Sequence, residues 1–415
     1  MPLPSFWTLV PLSGTFLIIW FSTKENLVTK VLSSKIFVFT GLISYSLYLW
    51  HYPIFAFLRQ LQLFNESILI KVIAIIVVFI FSVFSYYFIE KPFRNKKVIS
   101  TKKLIFYIFS GLIILLCFCT YITINNGARN WFPKIVDNAK FQSQNVQYNV
   151  GQGLKKVVLI GDSHASSLAF NLNEQIKGSE FSLSFMFSDL YVNNVYLKNR
   201  KTGIIDLSHL EKTREINDFL KKHEKLIVVL HHRWSLKILG THFDNKEGFR
   251  DYQKIENKDA ETYFEPIKNK ILLEKNKQDF LEKSLILTIN NILKLGHDLV
   301  LVYPVPETGF DTPKLMLRNL LSNYIFNKKV DAPLLTTSHV VYKKRNKKIF
   351  DILNGIRGTN VYRVYPDKSF CNTAVINRCV SNNIDSLFYF DGDHLSLEGS
   401  KYVVDDIVKI IKNIH

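Results

Sequence analysis

Residues 157–167 read VVLIGDSHASS, and what they form decides the fold of the larger part of the chain. Four apolar residues run into Gly161, Asp162, Ser163 and His164. An apolar run closed by a glycine and polar turn residues predicts a short buried strand, with SSLAFNLNEQIKG as the helix behind it. Ser163 then stands where strand meets helix, and the first N–H groups of the helix point at whatever it attacks. A second reading stays open: the turn faces water, and Asp162 only caps the helix by accepting its N–H bonds.

A serine hydroxyl is a poor nucleophile without a base. Far downstream, YFDGDHLSLEGS (389–400) offers one. His394 would take the serine proton, and Asp391, three residues earlier, would fix the imidazole tautomer and support the cation formed. Asp393 is a rival for that role, but as the immediate neighbour of His394 it is expected to point elsewhere. A surface or cap histidine is the plainer reading of His394 taken alone.

The rest of the region from 155 onward alternates in the same way. KLIVVLHHRW (225–234) reads as a second core strand ending in polar residues. LEKSLILTINNILKLG (281–296) is an amphipathic helix closed by Gly296, and HDLVLVYPVPET (297–308) is a third strand. A last helix is expected over about 397–413. This alternation predicts an α/β domain with a mostly parallel sheet and ligand loops at the carboxyl ends of the strands. Segments 238–280 and 310–360 are charged and weakly patterned, as substrate-facing insertions or plain surface excursions.

The first 124 residues are a different material. Apolar stretches cover 5–21, 36–58, 72–89 and 104–122. The last two are close to the twenty residues a helix needs to cross hydrocarbon, the second carries no charge, and the first is short and interrupted by Pro11. Lys24, Lys30 and Lys35 mark one loop, and Lys91, Arg94, Lys96, Lys97, Lys102 and Lys103 another, while 59–67 holds Arg59 as its one basic residue. The basic loops belong in the cytoplasm, so the fourth helix delivers everything after about 124 to the periplasm or extracellular space. A signal peptide is excluded, because the helices keep coming and no small-residue cleavage site follows the first. Residues 125–154, mixed, polar and without periodicity, read as a linker.

The chain of 415 residues carries a formal charge of +18. Membrane-flanking lysines and compositional drift account for the excess, and no basic stripe with aromatic or glycine-rich modules points to nucleic acid. None of the four cysteines sits in a zinc-binding spacing. Cys371 and Cys379 bracket CNTAVINRC, and in a domain outside the cytoplasm they are expected to pair and fix the segment presenting Asp391 and His394.

GDSHASS resembles the first block of the SGNH/GDSL hydrolase superfamily, and DGDHLS resembles its last. Their order and separation also fit. The resemblance implies Ser163 as nucleophile, His394 as base and Asp391 as orienter. It also implies an oxyanion hole built from the nucleophile's own N–H plus a glycine and an asparagine of middle blocks. No asparagine block matches here. HHRW occupies the comparable strand end, so Asp162, His164, His232, Arg233 and Trp234 are candidate pocket-lining residues. GDSH with HHRWSL resembles the branch fused to membrane acyltransferases. ISYSLYLWHYPIF (43–55) and FIEKPFR (88–94) are similar to the closing helices of the acyltransferase-3 family.

The expected organisation is therefore 1–95 as closing helices of an acyltransferase-3 domain, 96–124 as a basic loop and connecting helix, 125–154 as linker, and 155–415 as the SGNH-like domain. Members of this kind resemble O-acetylases of peptidoglycan, lipopolysaccharide and other surface polysaccharides. The resemblance implies a surface glycan or glycolipid acceptor, the bilayer of a bacterial inner membrane as host, and no bound cofactor or metal. Acetyl-CoA is the ultimate acyl donor if a full membrane domain is present. The family's membrane domain has about ten helices with its histidine and arginine motifs in the early ones, and this chain is expected to start near the eighth. His51 belongs to the late WHYP motif, as an intramembrane polar packing residue or, less simply, a functional one. A separate membrane acyltransferase partner is a further expectation. A carbohydrate O-acetyl esterase and an inactive remnant or glycan-binding module are the rival functions.

Overall fold

A computed structural model describes residues 6–23, 25–60, 68–125, 155–247, 259–267, 274–325 and 332–414. The chain divides into two compact units, Met1–Ala128 and Arg129–His415. The expected linker 125–154 lies, beyond Asn125, outside the described residues, as do parts of 238–280.

The first unit is helical: α1 (Leu9–Phe21), α2 (Leu27–Leu32), α3 (Lys35–Gln60), α4 (Ile68–Arg94) and α5 (Thr101–Ile124). α4 and α5 are long and apolar enough to cross a membrane; Phe6–Phe21 is shorter. Of the four expected spans, two thus meet the length and hydropathy that crossing requires. α3 has the length, but its serines, tyrosines and His51 dilute its apolar character. α3 and α4 pack through small or compact residues, with Ile43, Ser46, Ala74, Val78 and Ser82 all buried. Small side chains let two helix backbones approach closely. His51 Nδ1 lies 2.6 Å from the Tyr48 carbonyl of its own helix. The last turns of α4 widen to a π-helix over Tyr86–Glu90.

The second unit is built on a five-stranded parallel sheet in the order β2-β1-β5-β7-β9. Its strands are β1 (Lys155–Gly161), β2 (Phe181–Phe187), β5 (Ile227–His231), β7 (Asp298–Val302) and β9 (Val361–Val364). A small antiparallel sheet joins β3 (Val195–Asn199), β4 (Ile205–Asp206) and β6 (Thr262–Pro266). A two-stranded ladder pairs β8 (Thr336–Ser338) with β10 (Arg378–Val380).

Helices cover both faces of the large sheet, which is why its strands read as unbroken apolar runs rather than alternating ones. Val157 and Leu159 enter one core with α6 (Ser163–Ile176) and the final helix; Val158 and Ile160 enter the other. That second core takes Ile216 and Leu220 from α7 (Ser208–Lys222) and Leu285, Ile289 and Ile292 from α9 (Glu274–Lys294). Trp234 opens the short α8 (Trp234–Leu239). Segment 310–360, weakly patterned in sequence, folds into α10 (Thr312–Ile325) and α11 (His339–Gly355). In α11 the charged run KKRNKK (343–348) interrupts the apolar pattern and makes the periodicity faint. A four-residue α12 (Asp367–Phe370) precedes the Cys371–Cys379 disulfide, and α13 (Leu397–Lys412) closes the domain.

β1 sends its connection to β2 on one side and is flanked by β5 on the other. This is a topological switch point, where the strand ends part and leave a crevice. Gly161 sits at that crevice. A Cβ there would lie 1.7 Å from the His231 carbonyl oxygen, so only glycine lets β1 and β5 run this close at their ends.

Candidate active site

Four loops meet at the carboxyl ends of the strands: Asp162–His164 after β1, His232–Arg233 after β5, Glu307–Thr308 after β7, and Asp391–His394 before α13. α6 begins at Ser163 itself, three residues before the expected helix, with Asp162 as its N-cap. Asp162 Oδ1 accepts the His164 N–H at 3.0 Å, and Oδ2 accepts the Arg233 backbone N–H at 3.0 Å. One carboxylate therefore caps the helix and ties β1's end to β5's. Its burial raises its pKa to about 6, against the opposing pull of Lys237 and the two N–H bonds.

The Asp391–His394 loop is a tight turn organised by its own carboxylate. Asp391 Oδ1 accepts the N–H groups of Asp393 (2.9 Å) and His394 (2.8 Å), leaving Oδ2 for the His394 ring, 2.7 Å from Nδ1. The loop after β7 holds it from outside: the Thr308 N–H donates to the Gly392 carbonyl at 2.9 Å, and Tyr389 Oη donates to the Pro306 carbonyl at 2.6 Å. On its far side, His394 Nε2 lies 2.8 Å from Ser163 Oγ. Residues 231 positions apart thus form one chain of hydrogen bonds, Ser163–His394–Asp391. Burial alone would lower the His394 pKa. The Asp391 hydrogen bond and the charges of Asp393 and Asp391 reverse this, and it stands above the ordinary histidine value. An imidazole so placed can take a proton from Ser163 Oγ while its Nδ1–H stays on Asp391.

Asp393, expected to point elsewhere, instead keeps one oxygen within reach of the His394 ring. Its Oδ2 lies 3.0 Å from His164 Nε2, 3.0 Å from Arg233 Nη1 and 3.5 Å from His394 Nδ1. Arg233 is locked on its other edge by Glu307, with Nη2 at 2.6 Å and Nε at 2.7 Å from the same oxygen. His164 is buried, and that burial, reinforced by the nearby His394, Arg233 and His231, lowers its pKa well below the usual value. The neutral ring donates its Nε2–H to Asp393. Glu307 had no place among the sequence candidates. The available signal was an acid directly after the third strand's apolar run, in PVPET.

Two of the candidate lining residues are fully buried. Trp234 is fully buried and donates Nε1–H to the Val302 carbonyl at 2.9 Å. His232 is fully buried, and its Nε2 accepts the Tyr191 N–H at 3.3 Å. With His164, Arg233 and Glu307 they border a small cavity of about 10 Å³, room for about one water. The strand end that the resemblance pairs with an oxyanion asparagine presents Arg233, whose guanidinium is committed to Glu307 and Asp393.

His164, Asp393 and His394 offer ligand atoms within 4.8 Å of one another, a spacing a divalent cation needs. The Arg233 guanidinium on Asp393 and the Asp391 bond on His394 Nδ1 already satisfy those atoms, so the set fits a cation poorly. The second such group, His339 with Cys371 and Cys379, has its sulfurs tied in the disulfide.

Comparison with known families rests on this domain. The family described as the SGNH domain fused to AT3 domains matches residues 134–409. The chain belongs to that family. In SGNH terms it is a hydrolase-like enzyme domain preceded by an AT3-like helical region. O-acetyltransferase OatA of Staphylococcus aureus is 36% identical over 94 residues, 20% of this chain and 16% of the relative. The match thus spans about a sixth of that relative's length. Two solved structures resemble the SGNH chain at low identity. One is the periplasmic domain of a lipopolysaccharide acetyltransferase of Salmonella ser. Paratyphi A, at 16% identity and a TM-score of 0.39, over 70% of this chain and 95% of that one. The other is an acetyl xylan esterase, at 14% and 0.28, over 62% and 99%.

Proposed function

We propose that the chain is a membrane-anchored O-acyltransferase module that moves an acetyl group onto a hydroxyl of a cell-surface polysaccharide, lipopolysaccharide or peptidoglycan. The observation that carries this reading is the continuous run Ser163 Oγ–His394 Nε2 at 2.8 Å and His394 Nδ1–Asp391 Oδ2 at 2.7 Å. Family membership supports acyl chemistry at that serine, and the name of the Staphylococcus aureus relative supports acetyl as the group.

In the first step His394 Nε2 removes the Ser163 proton as Oγ attacks the acyl carbonyl carbon. The bond between the acyl carbon and the donor's leaving atom breaks, that atom takes the proton from His394, and Ser163 carries the acyl ester. In the second, the sugar hydroxyl attacks the ester carbonyl and gives its proton to His394, which returns it to Ser163 Oγ as the C–O bond breaks. Asp391 holds the ring and faces the imidazolium in both. The Ser163 N–H, at the first turn of α6, is the candidate donor to the developing oxyanion. Water in place of the sugar makes the same site an esterase, and the partial exposure of His394 and Asp391 leaves water a route to the ester. Acetyl-CoA would be the ultimate acyl donor, from the cytoplasm, where a full set of membrane helices is present, as a separate membrane partner would contribute. The apolar α4 and α5, the basic loops around them and the Cys371–Cys379 disulfide support a multi-pass protein of the bacterial cytoplasmic membrane with its SGNH domain outside.

The test uses the full chain in detergent and a chromogenic acetyl ester. Ser163→Ala and His394→Ala are each expected to lower turnover by about 10³-fold or more. Unchanged turnover in Ser163→Ala would end the reading. Because the neutral His394 is the working form and its pKa stands above the ordinary 6.5, activity should still be climbing with pH above that value.

A further inference from the structure

Asp391 is not the one carboxylate at the base. Asp393 Oδ2 faces the same Nδ1 at 3.5 Å, against 2.7 Å for Asp391. The two acids stand in different settings. Asp391 is 21% exposed and satisfied by the backbone of its own turn; Asp393 is 1% exposed and bound to groups from two other loops. A carboxylate buried that deeply needs opposite charge and hydrogen bonds to remain where it is. Arg233 supplies the charge and His164 the second donor, both at 3.0 Å. Glu307 fixes Arg233 from behind, and Asp162 fixes the Arg233 and His164 backbones.

Charges facing the His394 ring come from every loop around it: Asp391 and Asp393 from its own turn, Arg233 from the end of β5, and Asp162 and the neutral His164 from the first turn of α6. Glu307 and Arg233 offset one another. That leaves Asp391 and Asp393 as the charges a protonated ring meets at close range. Fixed groups of this kind stabilise a charge that appears during reaction without reorganising.

We propose that Asp393, braced by Arg233, His164 and Glu307, is a positioning residue for the base: a second carboxylate on His394 Nδ1 that stabilises the imidazolium and partly replaces Asp391 when Asp391 is removed. The proposal rests on Ser163, His394 and Asp391 acting as read above. It assigns the second Asp of DGDH, the Arg of HHRW and the Glu of PVPET to one device. A purely structural brace would tie the loops together without reaching the proton on His394.

The experiment is the pH profile of kcat/KM for acetyl ester turnover by the full chain. Asp393→Asn keeps the shape and removes the charge. It is expected to lower the plateau about tenfold and to move the acid limb down by about one pH unit, because a carboxylate facing the ring holds its pKa up. In an Asp391→Asn background the same substitution should cost about tenfold more than it does alone, since the replacement carboxylate goes as well. Should Asp393→Asn fail to fold, Glu307→Gln serves. It keeps an oxygen for the Arg233 Nε–H and leaves Arg233 less neutralised, so the acid limb should move the same way by a smaller step. An unmoved acid limb in whichever variant folds, or losses that simply multiply in the double variant, overturns the proposal. Ser163→Ala separates the failures: if it stays active, the serine reading falls. If it is dead while Asp393→Asn keeps its acid limb, only the role of Asp393 falls.

Discussion

β1 and α5 are both apolar runs, and they end in opposite surroundings. Val157, Val158, Leu159 and Ile160 are all fully buried, two in each core of the α/β unit. α5 buries none of its residues; Ile114, Leu116 and Ile124 are 69%, 67% and 73% exposed. The strand finds its apolar surroundings inside its own fold. The helix satisfies its backbone internally but must find apolar surroundings elsewhere, which is the condition of a membrane span. Exposure therefore means different things in the two units, and substitutions can separate them.

The largest effect is expected in the α/β unit at Gly161→Ala. The new Cβ would meet the His231 carbonyl at 1.7 Å and Ala165 Cβ at 2.5 Å, both in the tightest part of the fold. A loss of more than about 4 kcal/mol is expected, seen as proteolysis of the second unit while the helical unit stays protected in detergent. Next comes a pair of exposed residues. Leu116→Asp, on α5, should cost about 3 kcal/mol of membrane insertion, read from the fraction extractable by alkaline carbonate. Ile376→Asp, 82% exposed beside the disulfide, should change the melting of the α/β unit by less than about 0.5 kcal/mol. Equal effects at the two sites would erase the distinction.

The cysteines divide the same way. Replacing Cys371 and Cys379 by serine opens a loop of sequence separation 8 and should cost about 2 kcal/mol in denaturant unfolding. Replacing Cys117 and Cys119, free and exposed on α5, should leave that unfolding unchanged. Asp162→Ala should cost about 1 kcal/mol for a lost N-cap, measured in the same unfolding series.

Sequence periodicity was informative where one environment governs a whole element. KKVVLI, KLIVVL and HDLVLV are runs buried on both faces, and each stands in the sheet as its pattern suggests. α11 was hidden because the charged run KKRNKK (343–348) breaks its apolar pattern. The hydrogen-bonded line of Ser163, His394 and Asp391 could be anticipated from the likeness of GDSHASS and DGDHLS to the SGNH blocks, where the residue types alone left a turn and a cap as readings. The group around Asp393 could not. Arg233 and Glu307 are 74 positions apart and meet only because β5 and β7 are sheet neighbours. Trp234 and His232 had the polar and aromatic character of a pocket wall, yet their chain positions turn them inward beside the Val302 carbonyl and Tyr191. Which way a strand-end residue turns is set by register, which the local sequence does not carry.

The central claim, that Ser163 carries the acyl group, is tested most directly by trapping it. Full-length protein in detergent is mixed with an activated acetyl ester, quenched in acid before turnover completes, and mapped by peptide mass spectrometry. The account predicts one acetyl group on the peptide containing Ser163, chased off by an added sugar acceptor or by water, and absent in His394→Ala. Rapid turnover with Ser163 unmodified at every time point, or the same acetylation in His394→Ala, would contradict it.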